Sequence, residues 1–243
     1  MVGEDRRGAG ENIRVAVAQP ATVLGSLSGN VAAHARAVNR AAADLVVFPE
    51  MSLSGYAMDA PTVALDDPRL GPLIAACRHT GAIALVGAPV HTGTGTGGRG
   101  IGVLAVSGDG ATVAYIKMSL GAEEARHFES GHAPASIEVR GRRVGIGVCR
   151  DTRIAHHLDS TAALGIDVYV AGLVHAPAEL AELDARARRI AAAHDVPVAF
   201  AGFAGPTGGG FGQTSGGSGV WDRTGTVLRQ LGAEPDAVAS VDL

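Results

Sequence analysis

The chain of 243 residues has little of several features that mark other classes of protein. Its two cysteines, Cys77 and Cys149, are too few for a disulfide framework or a four-cysteine zinc site, so any special cysteine would be a lone reactive thiol. No stretch approaches the roughly 18 uninterrupted apolar residues of a membrane helix, and residues 1–11 lack the apolar region of a signal peptide. These absences predict a cytoplasmic protein with no membrane contact.

Charge is also scarce, since charged residues make up 18% of the chain and the formal net charge is -4. Basic runs are lacking, which predicts that nucleic acid is not a partner and favours a small molecule. Hydrophobic residues make up 47%, enough for a packed interior. The polar, glycine-rich start of the chain predicts a flexible N-terminal segment, residues 1–12, and the length fits one following domain, residues 13–243.

Lysine is the scarcest cation, because Lys117 is the single lysine among 20 Lys+Arg residues. Arginine therefore serves wherever a generic positive charge is enough. A lysine offers a compact ammonium with three donors and a pKa that burial can change, which arginine does not. This contrast singles out Lys117 as a candidate functional residue, against the plainer interpretation of a surface lysine.

The hydrophobic pattern alternates between strand and helix periods, which predicts an α/β domain whose sheets are covered by helices. The predicted strands are residues 13–19, 44–48, 83–90, 101–106, 112–117, 136–139, 144–149, 167–171, 198–203, 216–221, 227–231 and 237–241. The predicted helices are residues 28–43, 68–80, 154–164 and 178–194.

Three reactive side chains stand where predicted strands end. Glu50, Lys117 and Cys149 each follow an apolar run, and in α/β sheets chemistry collects at the carboxyl ends of strands. A carboxylate can take the thiol proton, a thiolate can attack an acyl carbon, and an ammonium can stabilise the oxyanion that forms. The combination predicts covalent amide chemistry without a catalytic histidine.

Metal and cofactor sites are not predicted. His156 and His157 are adjacent, so on a helix they would point about 100° apart and make a poor chelating pair, and a solvated helix start is expected for them. Gly93, Gly95 and Gly98 match a G-x-G-x-x-G pattern, but a strand follows instead of a helix. That pattern therefore predicts a glycine-rich turn and no dinucleotide site.

Three segments together resemble the signature segments of the nitrilase or carbon–nitrogen hydrolase superfamily, in order and in spacing. They are residues 48–56 (FPEMSLSGY), 115–120 (YIKMSL) and 147–151 (GVCRD). The resemblance runs from about Ile13 to the end of the chain. It implies a four-layer α-β-β-α sandwich with two mixed β-sheets, an amidase acting without a cofactor, and a homodimer.

The resemblance also implies roles for individual residues. Glu50 would be the general base, Lys117 would hold the tetrahedral intermediate, and Cys149 would be the nucleophile. A second glutamate of the family lies in an E-x-x-x-F-x-x-G segment, which Glu124 begins in this chain. Glu124, and not its neighbour Glu123, is therefore the fourth predicted catalytic residue.

Substrate contacts are predicted at three positions. Tyr56 ends the first signature segment, and His175 follows a strand where the family contacts its substrates, although an ordinary loop histidine is an equal alternative. The backbone N–H of Arg150 should be a second oxyanion donor. Its guanidinium could bind a substrate carboxylate, but internal pairing with Asp151 or Glu124 is the favoured interpretation.

The chain departs from the family at Ser119, where a histidine is common, and around Gly100 and Ile101, where an asparagine is usual. Alternatives therefore stay open. They are nitrile hydrolysis or acyl transfer at the same site, a cysteine–histidine enzyme of the glutamine amidotransferase type that would need His175 or His194, and a catalytically silent metabolite-binding protein. The family acts on several kinds of amide and carbamoyl compound, so the resemblance implies a reaction class and no single substrate.

Overall fold

The computed structural model describes residues 12–93 and 97–243. The predicted flexible segment, residues 1–12, lies outside this range except for Asn12, and Gly95 of the glycine-rich turn lies outside it as well. Neither prediction is therefore tested by the structure.

The described residues form twelve strands and four α-helices, connected by turns and short 3-10 helices. The strands are β1 (Arg14–Gln19), β2 (Leu45–Val47), β3 (Ile83–His91), β4 (Arg99–Ser107), β5 (Gly110–Ile116), β6 (Ala135–Val139), β7 (Arg142–Val148), β8 (Val168–Leu173), β9 (Val198–Gly202), β10 (Gly219–Trp221), β11 (Val227–Gln230) and β12 (Ala237–Asp242). The helices are α1 (Leu27–Ala41), α2 (Gly71–Thr80), α3 (Ala155–Ala162) and α4 (Leu180–His194).

The strands form two six-stranded sheets with mixed directions. The first sheet has the order β12-β1-β2-β3-β4-β5, in which β1, β2 and β3 run parallel and the other pairs are antiparallel. The second has the order β11-β10-β9-β8-β7-β6, with β7, β8 and β9 parallel. Helical crossovers connect parallel strands, so helices cover the outer face of each sheet.

The core is divided into three apolar clusters that define four layers. One cluster joins the facing sides of the two sheets, with Val15 and Leu45 from the first and Val144 and Ile146 from the second. A second cluster packs α1 and α2 on the first sheet, and a third packs α4 on the second. The predicted α-β-β-α sandwich with two mixed sheets is confirmed.

Most elements lie within two residues of their predicted bounds, and two differ by more. The predicted helix 68–80 is divided into a 3-10 helix, Pro68–Leu70, and α2, and Gly81 (φ 75°) ends α2 by donating its N–H to the Cys77 carbonyl at 2.8 Å. The predicted strand 216–221 is shorter and begins at Gly219, because Gly216 and Gly217 have φ values of 60° and 69°. Extended strand backbone does not reach that region.

No helix of the described residues is long and apolar enough to cross a bilayer. The two longest, α1 and α4, have 15 residues each, against about 20 for a membrane span.

Candidate active site

The fold brings four of the predicted site residues together at one end of the sandwich. Lys117 Nζ lies 2.6 Å from Glu50 Oε1 and 2.6 Å from Glu124 Oε1. These three residues are at most 3% exposed. Cys149 begins the 3-10 helix Cys149–Arg153 directly after β7 and is half-buried. The site therefore places two carboxylates, one ammonium and one thiol in a largely dry environment.

Glu50 is positioned by a turn that passes between the two sheets. A Cβ on Gly87 of β3 would lie 2.2 Å from Met51 N, and a Cβ on Gly172 of β8 would lie 2.6 Å from Phe48 O and 2.8 Å from Glu50 N. Both approaches are closer than a side chain permits, so the turn fits only because both residues are glycine. The glycine pair therefore fixes where the Glu50 backbone lies relative to both sheets.

Lys117 is held in place by backbone hydrogen bonds at the end of β5. Its N–H donates to Ile101 O at 2.9 Å, and its carbonyl accepts from Gly131 N at 2.8 Å. Burial alone would lower the pKa of Lys117, but the negative charges of the Glu50 and Glu124 carboxylates raise it above its ordinary value. The side chain is therefore an ammonium throughout the neutral range.

Glu124 lies in the 3-10 helix Glu124–Arg126, and each of its oxygens accepts hydrogen bonds. Oε1 accepts from Lys117 and from Tyr56 Oη (2.7 Å), while Oε2 accepts from Gly121 N at 2.6 Å. Burial would raise the pKa of Glu124, but the ammonium of Lys117 and these donors lower it. Glu124 is therefore ionised and serves as the fixed counterion of the ammonium.

Glu50 differs from Glu124 in its proton affinity. Burial raises the pKa of Glu50 to about 7, although Lys117 opposes the shift, and Glu50 Oε2 has no hydrogen-bond partner within the described chain. The two carboxylates that bind the same ammonium thus have pKa values shifted in opposite directions. A carboxylate with a near-neutral pKa and a free oxygen is suited to moving a proton.

Cys149 has the left-handed backbone expected of a sharp turn, with φ of 40°. Its Sγ lies 3.7 Å from the Val174 carbonyl and is placed to donate to it. Burial, and then the charge of Glu50, raise the pKa of the Cys149 thiol to about 12. The resting thiol is therefore neutral, and its ionisation is coupled to that of Glu50 and Lys117.

Tyr56 and His175, two of the residues predicted to contact substrate, each have a hydrogen-bond partner within the protein. Tyr56 is half-buried, and burial together with the charges of Glu50 and Glu124 raises its pKa, so its hydroxyl stays the donor to Glu124. His175 is 2% exposed, and its Nε2 accepts from Arg186 Nη2 at 2.7 Å. Burial and then Arg186 lower the pKa of His175 to about 3, so its ring is neutral and directed at α4.

The expected internal pairing of Arg150 is not found. Asp151 accepts from Tyr115 Oη and from two backbone N–H groups, and the oxygens of Glu124 are occupied as described. The Arg150 side chain is exposed and has no hydrogen bond with either carboxylate in the described chain. Its backbone N–H directly follows Cys149 in the first turn of a helix, where N–H groups lack intrahelical partners.

A cysteine–histidine arrangement is not supported. Cys149 Sγ bonds to a carbonyl, His175 pairs with Arg186, and His194 Nε2 lies 4.0 Å from Asp159 Oδ1. Within the described residues, groups of three or more potential metal ligands are also not found. His157 is 1% exposed, so the expected solvated helix start holds for His156 alone.

Sequence reasoning missed three positioning features of the site. By sequence, Asp151 stands out only as a possible partner for Arg150, and Tyr115 only as part of a signature segment. Gly87 and Gly172 interrupt the buried strands IALVGAPVH and VYVAGL, which is a known signal of close backbone approach.

Comparison with known proteins places these residues in a family. The family model described as carbon-nitrogen hydrolase matches residues 14–243. An (R)-stereoselective amidase from Pseudomonas sp. is 30% identical over 132 residues, which is 52% of this chain and 47% of that protein. The chain thus spans about half the length of the curated relative that it matches.

Solved structures similar to this chain include variants of the amidase from Nesterenkonia sp. AN1. A cysteine-to-alanine variant in complex with butyramide is 26% identical, covers 96% of this chain and 92% of that one, and gives a TM-score of 0.82. A glutamate-to-glutamine variant shows the result of Michael addition of acrylamide at the active-site cysteine, with 25% identity, 95% and 93% coverage and a TM-score of 0.80.

Proposed function

Because the chain belongs to the carbon-nitrogen hydrolase family, we propose that it is an amidase that cleaves the C–N bond of a small amide through a thioester on Cys149. The observation that carries the proposal is the ammonium of Lys117, bound at 2.6 Å by both Glu50 and Glu124 at the end of the sandwich where Cys149 lies. The base, the nucleophile and the oxyanion donors of this reaction are side chains or a backbone N–H of this chain.

The first half of the reaction forms the thioester. Glu50 Oε2 takes the proton of the Cys149 thiol as sulfur attacks the amide carbonyl carbon, and the carbonyl π electrons move onto oxygen. Lys117 and the backbone N–H of Arg150 stabilise this oxyanion. Protonated Glu50 then gives its proton to the amide nitrogen, the C–N bond breaks, and ammonia or an amine leaves.

The second half hydrolyses the thioester. Glu50, again ionised, takes a proton from water as the water oxygen attacks the thioester carbon. The new oxyanion is held by the same two donors, and its collapse breaks the C–S bond. Glu50 returns its proton to sulfur, the carboxylic acid leaves, and the resting site is restored. A near-neutral pKa suits a group that must accept and donate a proton twice in each turnover.

Small neutral amides are the substrates to test first. The butyramide complex and the acrylamide adduct of the Nesterenkonia amidase support this choice, and so does the stereoselective amidase from Pseudomonas. In this proposal Glu124 is the counterion that orients the Lys117 ammonium between the acid–base group and the substrate oxygen. Tyr56 contributes by holding Glu124 in place through the hydrogen bond of its hydroxyl.

The experiment that tests the proposal begins without a substrate. A short iodoacetamide pulse followed by peptide mass spectrometry compares Cys149 with Cys77, which is 1% exposed and whose pKa burial raises to about 11. We expect fast labelling of Cys149 that falls in Glu50→Gln, and slow labelling of Cys77 in both proteins.

Turnover is then measured as ammonia release from butyramide and acrylamide. We expect release by the parent and none by Cys149→Ala. Slow, equal labelling of both cysteines, together with no ammonia release, would contradict the proposal. It would favour a catalytically silent protein that binds a metabolite.

A further inference from the structure

A single buried carboxylate, that of Asp151, joins the segment carrying Lys117 to the segment carrying Cys149. Asp151 is 0% exposed and follows Cys149 by two residues. Its Oδ2 accepts from Val148 N at 3.1 Å and from Tyr115 Oη at 2.8 Å, and its Oδ1 accepts from Ser119 N at 2.8 Å. All the donors come from residues close in sequence to Lys117 or Cys149.

The positions of these donors are specific. Tyr115 and Ser119 stand two residues before and two residues after Lys117, so Asp151 holds the chain on both sides of the ammonium. Val148 immediately precedes Cys149, at the end of β7. A further bond from Met118 N to Tyr115 Oη, at 3.2 Å, closes the turn around Lys117. Asp151 thus connects the end of the first sheet's edge strand β5 to the nucleophile turn of the second sheet.

A local helix cap does not account for this arrangement. Capping of the 3-10 helix Cys149–Arg153 would explain the Val148 N–H bond alone. The bonds to Tyr115 and Ser119 cross 36 and 32 residues of sequence and come from the other sheet. Burial and then the charge of Asp151 raise the pKa of Tyr115, so its hydroxyl remains a donor.

We infer that Asp151 is a positioning residue that sets the distance between the Lys117 ammonium and the Cys149 sulfur. It contacts neither group and acts through the backbone on either side of each. Reactive groups must be held to within about half an ångström for efficient chemistry, and a displacement of about 1 Å costs about a hundredfold in rate. A buried carboxylate with three donors is rigid enough for that purpose.

Asparagine at this position tests the inference because it has the same shape. Ser119 N and Val148 N are obligate donors that face opposite oxygens of Asp151. Whichever way the amide is turned, its NH2 group faces one of these N–H groups, so one bond is lost and either the chain after Lys117 or the turn of Cys149 is released. Removing a negative charge would by itself favour a thiolate. A purely electrostatic role therefore predicts faster reaction of Cys149, and a positioning role predicts slower reaction.

The measurement is the iodoacetamide alkylation rate of Cys149 at one fixed pH, which does not depend on whether the protein hydrolyses amides. We compare the parent with Asp151→Asn, Tyr115→Phe and Asp184→Asn. Asp184 is the matched control, because it accepts from Trp221 Nε1 at 2.9 Å and Arg188 Nε at 2.8 Å, and neither donor belongs to the segments that carry Lys117 and Cys149. Thermal unfolding of each variant is followed in parallel.

We expect Asp151→Asn to slow alkylation at least tenfold and Tyr115→Phe at least threefold, with Asp184→Asn within twofold of the parent even if its Tm falls. Where amide turnover is present, kcat falls in the same order and KM stays within about twofold, since Asp151 does not contact substrate. Unchanged or faster alkylation in folded Asp151→Asn would overturn the inference. If that variant does not fold, an unchanged rate in Tyr115→Phe would overturn it.

Discussion

Tyr56 and Lys117 donate hydrogen bonds to the same carboxylate oxygen, Oε1 of Glu124, at 2.7 and 2.6 Å. The Tyr56 ring packs edge-on against Phe211 with centroids 5.6 Å apart, and Tyr56 N donates to Thr207 O at 2.8 Å. The orientation of the ammonium is thereby linked to the loop that carries Thr207 and Phe211. We therefore interpret the main role of Tyr56 as positioning Glu124, and not as contacting substrate.

Replacing Tyr56 by Phe should lower kcat for an amide substrate about tenfold, with little change in KM. The ring and its packing on Phe211 are kept, while one hydrogen bond to a charged oxygen, worth about 1.5–3 kcal/mol, is lost. Steady-state ammonia release measures both constants. A raised KM with unchanged kcat would mean that the hydroxyl binds substrate instead.

Replacing Lys117 by Arg should abolish nearly all turnover while leaving the protein folded. The guanidinium is wider than an ammonium and its donors lie in one plane. In the same space it cannot donate to Glu50, to Glu124 and to an oxyanion at once. Ammonia release and circular dichroism measure the two effects. Arg126→Lys, at an exposed ion pair with Glu123, is the matched control and should behave as the parent. Turnover of Lys117→Arg within a few fold of the parent would refute the role of Lys117.

Replacing Glu124 by Gln should lower kcat/KM about a hundredfold or more. The two oxygens of Glu124 face donors on both sides, so an amide in either orientation sets its NH2 group against a donor and loses the counterion of Lys117. Glu123→Gln is the adjacent control, because Glu123 is exposed and its ion pair with Arg126 contributes little. Equal losses in both variants would show that the wrong glutamate has been chosen.

The alkylation rate of Cys149 should rise as the pH passes through about 7. Burial raises the pKa of Glu50 to about 7, so below that pH the base is protonated and cannot take the thiol proton. The thiol alone, with a pKa of about 12, would not ionise there. Iodoacetamide kinetics across the neutral range, with Cys77 as internal reference, measure the profile. The inflection should vanish in Glu50→Gln, and its persistence there would assign it to another group.

Replacing Gly172 by Ala should destabilise the protein by about 1–3 kcal/mol and reduce turnover by more than the stability loss explains. The new methyl would lie 2.6 Å from Phe48 O and 2.8 Å from Glu50 N, so the backbone of the base must move. Gly212→Ala is the control, because no atom lies within 4 Å of its Cβ position and its φ lies outside the left-handed region. Urea unfolding and ammonia release measure the two effects. Equal activity in both variants would contradict the role of the glycine pair in fixing the Glu50 backbone.

The sequence predicted the α/β class of the fold and three members of the reactive cluster for the same reason, while the four-layer arrangement followed from the family resemblance. Short apolar runs reveal strands, and Glu50, Lys117 and Cys149 each stand at the end of one. The resemblance to the family added Glu124, whose place opposite Lys117 depends on a loop that no periodicity describes. The dimer and the single-domain boundary stay predictions.

Side-chain partners were not predictable, because they depend on which loops meet after the sheets pack. The place of His175 after β8 predicts a position near substrate, but no local pattern predicts that α4 brings Arg186 to its ring. Sequence proximity pairs Asp151 with its neighbour Arg150, whereas its donors in the structure include Tyr115, 36 residues away. Local spacing determines which residues stand at a sheet edge, and tertiary packing decides which of them touch.

The turn that carries Glu50 lies between Gly87 of one sheet and Gly172 of the other. The active site is therefore complete only when the two sheets are packed together. The first half of the chain supplies the base and the ammonium, and the second half supplies the sulfur. A partly folded chain with only one sheet formed would hold neither a complete base–nucleophile pair nor a dry site. Cys149 reactivity should therefore report docking of the two sheets during refolding, at a single residue and without an added label in the core.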